Sequence, residues 1–215
     1  YDKEQRIFKK DFNGNETRPV KYEVPEWRTE EIYDSESFFT APLEFYLTEG
    51  THTIAFEAAC EPIQTNEIRL HPASEYISYE EYAKMHADKK VPDAEPIYIN
   101  AETPIYTSEQ VLYAMNDRTS GITQPQSTSA TLLNTIGGNG GDKWKNPGQW
   151  VSYEFQVEED GWYEIVPRFK QTVNAGLFSS RSIKIDGEIP FDEAKKLKFN
   201  YKTERQTEAL NGSVE

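Results

Sequence analysis

The stretch Gly137-Gly138-Asn139-Gly140-Gly141-Asp142-Lys143-Trp144-Lys145-Asn146-Pro147-Gly148-Gln149 sets one large aromatic ring among amides and a carboxylate on a glycine-rich backbone. That mixture suits a ligand with flat apolar faces and hydroxyl-bearing edges, as a saccharide has: the ring stacks on a face and the polar groups meet the rim. Trp144 supplies the ring, and Asn139, Asp142, Asn146 and Gln149 supply the polar groups. Lysines on both sides of Trp144 argue that it faces solvent, and loops on rigid scaffolds carry a disproportionate share of function. The competing structural reading is that Trp144 folds back over a sheet edge. Trp162 alternates with Tyr163, so one of the two points outward. Trp150, opposite Val151 and Tyr153, and Trp27, after Val24-Pro25-Glu26, read better as packing residues.

Catalytic constellations are not picked out by spacing. A glycosidase needs two carboxylates about 5–10 Å apart in a cleft; with 37 acidic side chains, accidental pairs are inevitable and no context singles one out. No Gly-x-Ser-x-Gly elbow occurs, and Gly137–Lys143 lacks the Gly-Lys-Ser/Thr ending of a phosphate loop. His52, His71 and His86 fall in three segments without metal-ligand spacing. The single Cys60 cannot form an internal disulfide, and at the end of an apolar strand pattern it reads as a buried inert thiol. The chain therefore reads as non-catalytic.

Charge narrows the partners. The 215 residues carry 37 acidic and 23 basic side chains, a formal charge of −14. Phosphate backbones are bound by clustered Lys and Arg, so nucleic acid is excluded as a main partner. The 13% aromatic content argues against global disorder. No apolar run approaches the roughly 20 residues needed to cross a bilayer, so no direct membrane insertion is expected. With no initiator Met and no leader pattern at its start, the chain is expected to be a soluble region cut from something longer.

The elements that must position the loop read as strands around one helix. Leu43, Phe45 and Leu47 share a face, Thr48-Glu49-Gly50 turns the chain, and His52, Ile54, Phe56 and Ala58 share the next face, a hairpin pattern. Ser78-Tyr79-Glu80-Glu81 is a capping box, followed by Tyr79, Tyr82 and Met85 at helical spacing, and Val91-Pro92 closes a helix over 78–90. Ile97, Ile99 and Ala101 alternate with Tyr98, Asn100 and Glu102; Val151, Tyr153, Phe155 and Val157 form one face; Glu159-Asp160-Gly161 turns into Tyr163, Ile165 and Phe169. Asp186-Gly187 after Ile183 and Ile185 is another hairpin turn. Short strands with frequent turns predict an all-β fold, an antiparallel β-sandwich or jelly roll with a short connector helix. The expected organisation is the C-terminal part of a first β-sandwich over 1–77, a helical connector over 78–95, and a second β-sandwich over 96–215 that lacks its last strands. Two unfinished sandwiches leave open edges, so either outside strands complete them or the halves complement each other.

The series Asn100-Ala101-Glu102, Pro147-Gly148-Gln149-Trp150-Val151-Ser152-Tyr153-Glu154-Phe155-Gln156-Val157 and Asp160-Gly161-Trp162-Tyr163 resembles carbohydrate-binding modules of the β-sandwich type across roughly 96–191. The blocks Asn13-Gly14-Asn15-Glu16-Thr17-Arg18-Pro19, Asn116-Asp117-Arg118-Thr119-Ser120 and Leu133-Asn134-Thr135-Ile136-Gly137-Gly138-Asn139 resemble large extracellular solute-binding proteins of Gram-positive bacteria. Those are lipid-anchored receptors of sugar ABC transporters. The resemblance implies the accessory sandwich region of such a receptor, an extracellular cell-surface location, a glycan or oligosaccharide ligand, and contacts with other domains of the same longer chain. It also implies a candidate structural calcium with Glu102 at the early acidic position, although other ligands in the family come from a last strand this chain lacks. The alternative is an architectural spacer with no ligand.

Overall fold

The structure is a computed structural model that describes residues 8–201 apart from 35, 37, 40, 60, 61, 74, 118–132, 172 and 174. Cys60, Leu132, the Arg118-Thr119-Ser120 part of the resemblance and the polar tail from 202 onward lie outside the described residues.

One α-helix and four short strands are described: α1 (Tyr79–Met85), β1 (Tyr106–Thr107), β2 (Val151–Ser152), β3 (Phe178–Arg181) and β4 (Leu197–Asn200). The strands form two antiparallel ribbons, β1–β2 and β3–β4, with Tyr106 opposite Ser152 and Ser179 opposite Phe199. No closed barrel is formed among the described residues. In β4, Leu197 and Phe199 are half-buried while Lys198 and Asn200 are exposed, and Phe169 meets the edge of Phe199 with ring centroids 4.9 Å apart.

Helix α1 begins where the sequence says it should. The Ser78 hydroxyl accepts from the Glu81 N–H and the Glu81 carboxylate accepts from the Ser78 N–H, so two otherwise orphaned donors are satisfied reciprocally. It ends earlier than the expected boundary at 90. His86 leaves the helical region (φ −116°), its N–H reaches Ala83 O, and its Nδ1 lies 2.9 Å from Tyr82 O.

The helix is clamped to later sequence. Tyr79 and Tyr82 pack on Phe191 with centroids 5.1 and 5.3 Å apart, and Tyr82 and His86 both stand edge-on to Trp162 at 6.0 Å. Asp192 N–H donates to Ile77 O (2.9 Å) before the helix, and Trp162 N–H donates to Lys90 O (3.0 Å) after it. The approach at Lys90 is close enough to demand glycine: a Cβ on Gly161 would lie 2.5 Å from Lys90 O and 2.6 Å from the Pro92 ring.

The most buried positions described are Leu112, Ala114, Asn116, Leu133, Glu16 and Glu102, together with Ala194 within the 3-10 turn Asp192–Lys195. Met115 and Thr135 exchange backbone hydrogen bonds of 2.9 and 3.1 Å, and the buried Glu16 carboxylate accepts from the Leu133 N–H at 2.8 Å. The turn around Gly14, held by Asp11 accepting from the N–H groups of Asn13 and Asn15, carries Glu16 to that place.

The two expected hairpin turns behave differently. At Asp186-Gly187 the φ values are 52° and 88°, and Ile185 and Glu188 exchange bonds of 2.8 and 3.0 Å. Two successive positive φ values give the turn twist that flanking strands require. At Thr48-Glu49-Gly50 only Gly50 has positive φ, at 138°, and the stretch 43–58 joins no ladder among the described residues; Leu43 N–H donates to Ile32 O instead. The expected strands at 97–101 and 163–169 likewise carry no assigned ladder.

Candidate functional site

The β1–β2 ribbon separates two surfaces. Ser108 N–H donates to Trp150 O at one end and Ile105 N–H to Ser152 O at the other. Beyond the first end lies the loop 137–149, and beyond the second a groove between 97–105 and 153–156.

The loop is wound tightly because glycines accept backbone angles closed to other residues. Gly138 sits at φ 86°, ψ −179°, a region available essentially to glycine alone, and a Cβ there would lie 2.0 Å from Asp142 Oδ1 and 2.8 Å from the Lys143 backbone nitrogen. Lys143 N–H closes back on Gly137 O at 2.9 Å. Gln149 ties off the far side: its Oε1 accepts from the N–H groups of Lys145 and Asn146, both at 2.9 Å, and its Nε2 donates to Glu109 Oε2 at 2.8 Å.

Trp144 is held rather than free. Its indole N–H donates to Gln149 O at 3.1 Å. The Arg181 guanidinium lies 4.8 Å from the ring centroid and donates to Trp144 O at 2.6 Å; burial of that guanidinium lowers its pKa. The ring is therefore half-buried, although lysines flank it in sequence. The structure brings Trp144, Asn146 and Gln149 together through these bonds, and Asp142 N–H approaches Asn139 O at 3.4 Å. The side chains of Asn139, Asp142 and Asn146 are exposed, with Asp142 Oδ2 3.7 Å from Lys143 Nζ.

The groove was not singled out by sequence reasoning. It is a concavity of about 270 Å³, with Tyr98, Asn100, Thr103, Glu154 and Gln156 offering ring and polar groups beside Ile97, Ile99 and Phe155. Tyr98 is 76% exposed. Tyr153 closes one wall by donating its hydroxyl to Ala101 O at 2.7 Å; burial first, and the Glu102 charge second, push its pKa up to about 12. The signal in sequence was the polar face of the alternation Tyr98-Ile99-Asn100, but alternation fixes a face and not the segment across from it.

The calcium expectation rests on Glu102. Glu102 is buried, yet no group of three or more His, Cys, Asp or Glu side chains is poised for a metal among the described residues. The neighbouring carbonyls already accept hydrogen bonds, Asn100 O from Thr103 and Ala101 O from Tyr153.

No protein-family model, no curated protein and no solved structure matches the chain.

Proposed function

We propose that this chain is a non-catalytic carbohydrate-binding module, an accessory antiparallel β-sandwich region of a cell-surface solute-binding protein for sugar uptake. The observation that carries the reading is the groove at 97–105 and 153–156: a concave surface where an exposed Tyr98 stands beside Asn100, Thr103, Glu154 and Gln156. An aromatic face with polar groups at its rim is the recognition chemistry of a sugar ring. The loop with Trp144, at the other end of the same ribbon, offers a stiff second contact through the exposed Asn139, Asp142 and Asn146. The glycan partner, the extracellular location and contacts with other domains of a longer chain belong to this proposal.

The second reading is a ligand-free architectural spacer. It draws on the indole N–H and ring of Trp144 being occupied by Gln149 and Arg181, and on Trp162 being packed against α1.

Intrinsic fluorescence titrated with a panel of soluble plant and microbial polysaccharides separates the readings. The parent chain is expected to give a saturable change, and Tyr98→Ala to weaken binding about tenfold, the scale of removing a central aromatic anchor. Loss in Trp144→Ala with Tyr98→Ala unaffected moves the site to the loop. No response to any glycan leaves the spacer.

A further inference from the structure

A second cavity, also about 270 Å³, opens on another side of β1, where Arg18, Pro19 and Lys21 face Gln110 and Tyr113. In a chain of net charge −14, it is lined by two cations and no carboxylate among the described residues. Both cations are anchored by uncharged groups. Lys21 Nζ donates to Thr107 Oγ1 at 2.7 Å and to the backbone carbonyl of Leu112, the most buried residue described. The Arg18 guanidinium carbon lies 4.0 Å from the Tyr113 ring centroid.

An ammonium has three donors and a guanidinium five. Among the described residues, Lys21 thus keeps one donor and Arg18 keeps its hydrogen-bonding fork, since no carboxylate there forms an ion pair with either. Each cation instead rests against its own neutral partner. Partial burial holds the Lys21 ammonium below the usual lysine range, as expected of a cation that has lost water without gaining a counter-charge. Gln110 adds an amide able to donate to the same space.

We propose that Arg18 and Lys21, with Gln110 and the Tyr113 ring, form a binding site for a small oxyanion, the chemistry shared by a carboxylate on an acidic sugar and by inorganic phosphate. This site is separate from the groove at Tyr98 and does not rest on the glycan reading. Two anchored cations converging on one cavity give charge-assisted hydrogen bonds to an oxygen-rich anion.

The test is calorimetric titration of the full chain with galacturonate, with inorganic phosphate and with galactose as the neutral control. Parent protein is expected to bind at least one anion more tightly than galactose, with the anion affinity alone falling as salt rises. Arg18→Gln, which removes a charge and the ring contact but no hydrogen bond holding the fold, is expected to weaken that binding about tenfold, the scale of a lost charge-assisted bond. Tyr98→Ala is expected to leave it unchanged. Lys21→Met is expected to weaken it similarly; since Lys21 also holds Leu112 O, its melting temperature is compared with that of the parent, and Arg18→Gln decides if Lys21→Met unfolds. Galacturonate alone binding identifies the carboxylate source, and phosphate alone the phosphate source. Binding of neither anion, or anion binding that Arg18→Gln leaves intact, overturns the proposal.

Discussion

The loop 137–149 and the stretch 43–58 have similar ingredients, each mixing aromatic, acidic and glycine residues, and the structure treats them in opposite ways. In the loop, side chains capture backbone groups: the Gln149 side-chain carbonyl accepts from the N–H groups of Lys145 and Asn146, Arg181 donates to Trp144 O, and glycine conformations supply the bends. In 43–58 the apolar alternation is clear, yet Phe45, Tyr46 and Phe56 are exposed, and no ladder bond secures the backbone among the described residues. Alternation supplies a face able to pair. In the loop, specific acceptors and permitted φ values also close the chain on itself. A stiff loop also loses less conformational entropy when a ligand binds.

Three substitutions probe this contrast. The largest effect is expected from Gly138→Ala, which forces a Cβ into the Lys143 backbone at a φ/ψ combination essentially closed to alanine. A loss of about 1–3 kcal/mol in unfolding free energy follows from such strain, with amide exchange accelerated at Lys143 and unchanged in 43–58. Gln149→Ala removes the acceptor of two N–H groups and the donor to Glu109. With water able to replace part of that set, about 1–2 kcal/mol is expected by chemical denaturation, together with a change in Trp144 fluorescence. The smallest effect is expected from Tyr46→Ser, at a side chain 92% exposed: a shift within about 0.5 kcal/mol. A loss comparable to that of Gln149→Ala would show that 43–58 is secured by contacts other than those described, and the contrast between the two stretches would fail.

Local grammar was legible in the sequence. The capping box at Ser78 and Glu81 starts α1, and Asp186-Gly187 makes its turn, because each signal is satisfied by residues within a few positions. The glycine-rich stretch was legible as a loop, but its distant ties were not: Glu109 and Arg181 reach it from far along the chain. The same holds for exposure. Flanking lysines placed Trp144 in solvent, whereas Arg181, from β3, covers part of its ring. The strands β3 and β4 were overlooked because Phe178-Ser179-Ser180-Arg181 has no alternation, and Leu197-Lys198-Phe199-Asn200 has too little to stand out before a polar tail. The groove needed 97–105 and 153–156 to be paired, and the Arg18–Lys21 cavity needed Lys21 to find Leu112, 91 positions away; neither pairing has a local cue.

The clamps on either side of α1 also have a mechanical meaning. Ile77 O is held by Asp192 before the helix and Lys90 O by Trp162 after it, with the Lys90–Glu159 ion pair of 2.8 Å beside the second clamp. Pulling 77–92 away from the other described residues therefore has to part these cross-links as well as the ring contacts with Phe191 and Trp162. The segment is fastened at both ends rather than at one, so a swing about either end strains the bond at the other.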